Sequence, residues 1–158
     1  MDLQQLNDVH EIQILKARFF RYLDTMQWEA FADLFTEDLE YYIDDPRLVS
    51  SAPGEPAFVG PKALVSSLKA SDPQRRSVHH GHMPEIELVD DDNATGIWAV
   101  YAWGEFPTSG RTVQSYGHYD ERYRRGSDGR WRIARIRLSL LRFEASTVPP
   151  DGAPSTES

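Results

Sequence analysis

The chain has 158 residues, 40 % of them apolar and 27 % charged, a balance that suits one globular domain rather than a disordered segment. Seventeen Lys and Arg against 25 Asp and Glu leave a net charge of −8, which argues against nucleic acid or a membrane surface as partner. Cysteine is absent, which removes disulfides, thiolate metal sites and cysteine nucleophiles; with no membrane-length apolar run and no signal-peptide start, a cytoplasmic domain is expected.

The first periodic segment spans about Val9–Thr25. Val9, Ile12, Leu15, Phe19 and Leu23 recur at spacings of three and four and form one apolar stripe on a helix, with Asn7 or Asp8 as its cap. A short second helix, Trp28 to Phe35, puts Trp28, Phe31 and Phe35 on one side. The corner between them leaves Asp24 at the end of the first helix, where partial negative charge disfavours an acid. LEYYI (39–43) reads as a strand, and Asp44 to Gly60, with three prolines and two glycines, as a long loop. Pro61 opens a third helix through about Ala70.

From Val78 the texture turns to Val, Ile, Trp and Tyr. Hairpin turns at Asp90–Asn93, Pro107–Gly110 and Gly126–Gly129 divide four long strands, about Val78–Val89, Ala94–Phe106, Arg111–Arg125 and Arg130–Phe143. Helices followed by a long meander make an α+β class. Strands of this length curl, and a curled antiparallel sheet closed by helices gives a cone with a cavity at its mouth. The domain is taken as 1–145, and the Pro- and Ser-rich residues 146–158 as a flexible tail.

Tyr41, Tyr42, Trp98, Tyr101, Trp103, Tyr116 and Tyr119 fall where a cavity is expected. As a group they suit a neutral, ring-containing, apolar ligand, although each alone reads first as packing. His79, His80 and His82 stand in a Ser-Val-His-His-Gly-His-Met-Pro run. Alternate strand positions offer only two imidazoles to one face, so no metal site is expected. The chemical alternative is a general acid or base, with Asp24 orienting a histidine.

Three segments resemble a known family. EIQILKARFFRYLDTMQWEAFADLF (11–35) is similar to the opening of SnoaL-like proteins of the nuclear transport factor two-like superfamily. SVHHGHMPEIELVDDDNATGIWAV (77–100) resembles the bile-acid 7α-dehydratase branch and, more loosely, scytalone dehydratase and hexachlorocyclohexane dehydrochlorinase. GHYDERYRRGSDGRWRI (117–133) matches the family's penultimate hairpin. The resemblance implies a cone-shaped α+β barrel and a lyase, isomerase or cyclase that needs no cofactor. It puts the acid on Asp24 and the base on His79, with His82 matching a second histidine. Phe19, Ala102 and Leu140 replace a Tyr, an Asp and an Arg of the bile-acid branch.

Strand parity counted back from Leu88 and Ile86 instead groups His80 and His82 with the apolar face. A bulge at Gly81 would reconcile parity with the resemblance. The expected site is therefore Asp24 and His79 for catalysis, with His80 as the fallback base, and Phe19, Tyr22, Tyr42, His80, His82, Trp98, Tyr101 and Tyr119 for substrate. Tyr22, Tyr42 or Tyr101 could assist a leaving oxygen. The expected reaction is elimination from a steroid, terpene or polyketide scaffold, with isomerisation, cyclisation or simple ligand binding as alternatives. A homo-oligomer through the outer sheet face, supplied with apolar surface by Trp98, Val100, Ile133 and Leu138, completes the reading. The resemblance favours a trimer over a dimer.

Overall fold

The computed structural model describes residues 1–48 and 51–147. Helix α1 (Leu3–Asp24) begins six residues before the apolar stripe does. Its cap is Asp2, whose side chain accepts from the Gln5 N–H at 2.8 Å while the Gln5 side chain accepts from the Asp2 N–H at 2.9 Å. At the other end the N–H of Gln27 bonds to the carbonyl of Tyr22 and that of Met26 to Leu23, with Met26 at φ 54°. This is a Schellman stop with methionine in the left-handed position usually given to glycine.

The remaining elements are α2 (Trp28–Ala32), β1 (Phe35–Ile43), β2 (Phe58–Val59), α3 (Pro61–Ser71), β3 (Arg76–Leu88), β4 (Asn93–Phe106), β5 (Arg111–Arg125) and β6 (Trp131–Thr147). They form one six-stranded sheet in the order β2-β1-β6-β5-β4-β3. The meander β3–β6 is antiparallel, whereas β1 runs parallel to β6, an arrangement the meander pattern does not announce. Strand β2 lies inside what reads as loop and pairs with β1 through Glu40–Val59 and Tyr41–Phe58. β6 extends to Thr147, beyond the expected domain end, and residues 148–158 of the expected tail lie outside the described residues.

The sheet wraps α1 and α2 in a cone-like α+β fold. Ile12, Leu15, Phe19 and Leu23 of α1 meet Trp98, Val100, Tyr119, Ile133 and Ile136 from the concave face. Alternation along β4 explains this packing: Ala94, Trp98 and Val100 are buried, while Ile97 is 41 % exposed. Trp98, Val100 and Ile133 are thus part of the core, so the apolar surface of the outer face has other sources. Among the described residues no helix is long and apolar enough to cross a membrane.

Candidate active site

Parity in β3 is decided by a bulge. His82 pairs with Ala99 but Glu85 with Ile97, so three steps on β3 answer two on β4, and Met83 takes φ 37°. The extra residue lies just past the expected Gly81. It turns Ser77, His79 and Gly81 to the concave face and leaves His80 and His82 outside. Gly81 has its own task. A Cβ there would stand 2.5 Å from the Phe20 ring, so glycine lets that ring lie nearly parallel to the His79 imidazole, with centroids 6.1 Å apart.

Opposite His79 stands Asp24, aimed at β3 by the helix stop. One carboxylate oxygen accepts from the Ser77 hydroxyl at 2.9 Å and lies 2.6 Å from His79 Nδ1. The other accepts from the His79 backbone N–H at 2.9 Å. These donors offset the poor placement of an anion at a helix C-terminus. The carboxylate fixes the tautomer that carries its proton on Nδ1, which leaves Nε2 with a lone pair.

His79 opens on a cavity of about 310 Å³. Buried Leu23, Tyr41, Val100 and Tyr119 form its floor, and Phe58, Leu68, Leu138 and Phe143 its apolar walls. Burial pushes the phenols of Tyr41 and Tyr119 well above their ordinary titration range, so both keep their O–H.

The residues expected to bind substrate separate cleanly. Tyr119 lines the cavity. Phe19 is buried beneath it, its ring 5.9 Å from that of Tyr119, and Trp98 is also in the core, its indole N–H donating to the Tyr123 hydroxyl at 2.8 Å. Tyr22 is half-buried under the Arg21 guanidinium, away from the lining. Tyr42 packs under Arg135 and Arg137, and His80, His82 and Tyr101 cluster on the convex face, so period-two alternation places all four outside the cavity. Tyr41 and Trp103, expected among the cavity aromatics but not in the substrate set, also line it, and the residues missed outright are Ser77 and Arg75. The Leu39–Tyr41–Ile43 alternation marks Tyr41, rather than Tyr42, as inward, and Ser77 shares a face with His79. No sequence signal marks Arg75. Ala102 lines the cavity, as does Leu138 on β6, and Leu140 does not. Among the described residues no three His, Asp or Glu side chains converge on a point where a metal ion could be held.

Comparison with known proteins agrees with this architecture. The family profile described as SnoaL-like domain matches residues 4–137. A hexachlorocyclohexane dehydrochlorinase of type 2 superposes with a TM-score of 0.77 at 22 % identity, over 97 % of this chain and 100 % of that one. A protein from Novosphingobium aromaticivorans, provisionally assigned as a scytalone dehydratase, gives 0.77 at 23 % identity, over 98 % and 99 %. A protein of unknown function from Mycobacterium tuberculosis gives 0.70 at 29 % identity, over 87 % and 74 %.

Proposed function

Because the chain belongs to the SnoaL-like family, whose fold is shared by dehydratases and dehydrochlorinases, we propose that it is a cofactor-independent lyase for a ring-containing, largely apolar small molecule. The observation that carries the reading is the 2.6 Å contact between Asp24 and His79 Nδ1 at the wall of an apolar cavity. A base needs a lone pair facing the ligand and a partner that stabilises its protonated form, and this pair supplies both. His79 Nε2 removes a proton from carbon, the C–H electrons form the double bond, and hydroxide or halide leaves the adjacent carbon. Tyr41 donates a hydrogen bond to that leaving group, and the imidazolium returns its proton to hydroxide as water or to solvent.

The same pair would serve an isomerase or a polyketide cyclase, which differ only in where the electrons go after proton removal. A passive carrier is less well supported, since a polar pair in an apolar cavity is costly unless used. The resemblance of residues 77–100 to the bile-acid branch bears on substrate shape, and the replacements Phe19, Ala102 and Leu140 bear against a steroid held in the same way.

The test is a double-mutant cycle, assayed on hydroxylated and chlorinated ring compounds by loss of water or HCl. Asp24→Asn, His79→Ala and the double variant should each lose about a hundred-fold or more in turnover, and by similar amounts, because one step is disabled in all three. Full turnover by Asp24→Asn, or loss on His80→Ala but not on His79→Ala, would overturn the assignment.

A further inference from the structure

Arg75 is a buried residue, 7 % exposed, that lines the same cavity immediately before β3. Its backbone is held fast. The Arg75 N–H bonds to the Asp72 carbonyl, and the Asp72 carboxylate accepts from the Gln74 N–H at 2.8 Å and from the N–H and hydroxyl of Thr108, each at 3.0 Å. The turn is therefore riveted to the β4–β5 hairpin. The guanidinium is poorly used by the protein. It makes one long hydrogen bond, 3.5 Å to the Leu23 carbonyl, and lies over the Trp28 ring at 5.4 Å. Nε is sealed from solvent with no partner, and no carboxylate among the described residues comes within 4.0 Å of its nitrogens.

Asp24 attracts this guanidinium from beyond contact distance, without offsetting the cost of its burial; a buried cation at a cavity wall with no carboxylate in direct contact is poised for an external acceptor. The composition of the wall points the same way. In a protein of net charge −8, the cavity is lined by Arg75, Arg76 and His79 and by no Asp or Glu. Arg76 is already engaged, 2.7 Å from Glu105 at the rim, which leaves Arg75 as the fixed donor.

We infer that the ligand of this cavity is an amphiphile, an apolar ring body carrying a carboxylate that docks on Arg75. The planar fork of the guanidinium matches two carboxylate oxygens at once. This replaces the neutral ligand that aromatic content alone suggests. It rests on the reading of this cavity as the substrate site but not on the reaction carried out there.

The experiment uses inert probes and the intact protein. By calorimetric titration, 2-naphthoate should bind about tenfold or more tightly than 2-naphthamide, which has the same shape without the charge. Arg75→Met and Arg75→Gln should abolish that preference by lowering naphthoate affinity far more than naphthamide affinity, and Arg75→Lys should retain part of it. His79→Ala should keep the preference, which separates recognition by Arg75 from attraction to an imidazolium. In the unliganded protein, Arg75→Gln should melt within a few degrees of the wild type, since the long bond to Leu23, the Trp28 contact and the distant attraction of Asp24 are offset by the cost of burying the charge. Equal binding of the two probes, no binding of naphthoate at millimolar concentration, or an undiminished preference in Arg75→Gln would each overturn the inference. None of these readouts depends on turnover, so failure of the lyase reading would show separately, in the Asp24 and His79 cycle.

Discussion

Tyr41 carries a specific expectation at the residue scale. If its O–H supports the departing oxygen, Tyr41→Phe keeps the ring and its packing 6.2 Å from Phe58 but deletes the donor. Turnover on hydroxylated substrates should fall about ten- to a hundred-fold, while a chlorinated analogue, whose leaving group needs no proton, should lose much less. Equal losses on both, measured as initial rates, would remove Tyr41 from the reaction. Asp24 shows how structure revises an intuition about stability. An acid at a helix C-terminus looks dispensable for folding, yet this one receives three hydrogen bonds from β3. An amide offers one acceptor oxygen in place of two, so Asp24→Asn should cost about 1–3 kcal/mol in denaturant titration alongside its effect on turnover. Met26 works in the opposite direction. Its left-handed backbone is strained for any side chain, and Met26→Gly should raise the melting temperature by relieving about 1 kcal/mol.

The element that organises the molecule is α1, pinned to the sheet at two levels. Near its N-terminus, Asp8 lies 2.7 Å from the Arg125 guanidinium and accepts from the Trp131 indole at 3.3 Å. Burial alone would raise the Asp8 carboxyl, but hydrogen bonds from Arg125, Trp131 and Gln4 outweigh it and hold the group below its ordinary value. A depressed folded-state value means stability that is complete above the unfolded carboxyl's range, near pH 4, and lost as pH falls through the folded one. Acid unfolding of Asp8→Asn should therefore show a shallower loss below about pH 4 than the wild type. Midway along α1, Lys16 pairs with Glu121 in full burial, roofed by the rings of Phe19 and Tyr119 at 4.0 and 3.8 Å. Glu121 also accepts from the Tyr123 hydroxyl at 2.5 Å, and Tyr123 in turn from Trp98. Lys16→Met strands the carboxylate and should cost about 3–5 kcal/mol, whereas Lys16→Met with Glu121→Gln should recover most of it, because glutamine still accepts from Tyr123. These pins also mark what the sequence conceals. The Ile12–Leu15–Phe19–Leu23 stripe is legible by period, but nothing in the sequence marks Lys16 as buried, and Asp8 reads as a helix cap until their partners, more than a hundred residues away, are seen. Asp24 stands out in the sequence as an acid at a helix C-terminus, whereas His79 is picked from its neighbours only by the SVHHGHMPEI resemblance, against strand parity. A one-residue bulge has no reliable signature in the local hydrophobic pattern, and Pro84 after Met83 marks the spot only in hindsight. Tyr41, by contrast, was readable from its alternating neighbours.

Taken whole, the molecule has a concave face that holds the core and the cavity, and a convex face of unusual texture. His80, His82, Tyr101 and Tyr116 form a contiguous aromatic group there, with Tyr101 and Tyr116 centroids 5.1 Å apart, beside exposed Val78 and Ile97. Aromatic and imidazole groups gathered on a sheet surface suit contact with another copy better than contact with water. Light scattering should return a multiple of the protomer mass, a trimer before a dimer, and Tyr101→Asp with Ile97→Lys should shift it toward protomer. A monomer at every concentration would assign this face to something else.

The bulge at Met83 also has a consequence for how such a site can change over generations. It acts as a phase shifter, setting which of two adjacent imidazoles looks into the cone while barely moving the strand's ends. Loss of a single codon there would restore plain alternation, bring His80 and His82 inward together, and turn His79 out, away from Asp24. The chain thus holds a second arrangement of histidines in reserve, one indel away. Substitutions alone cannot make that exchange, because they alter side chains and leave the phase of the strand where it is.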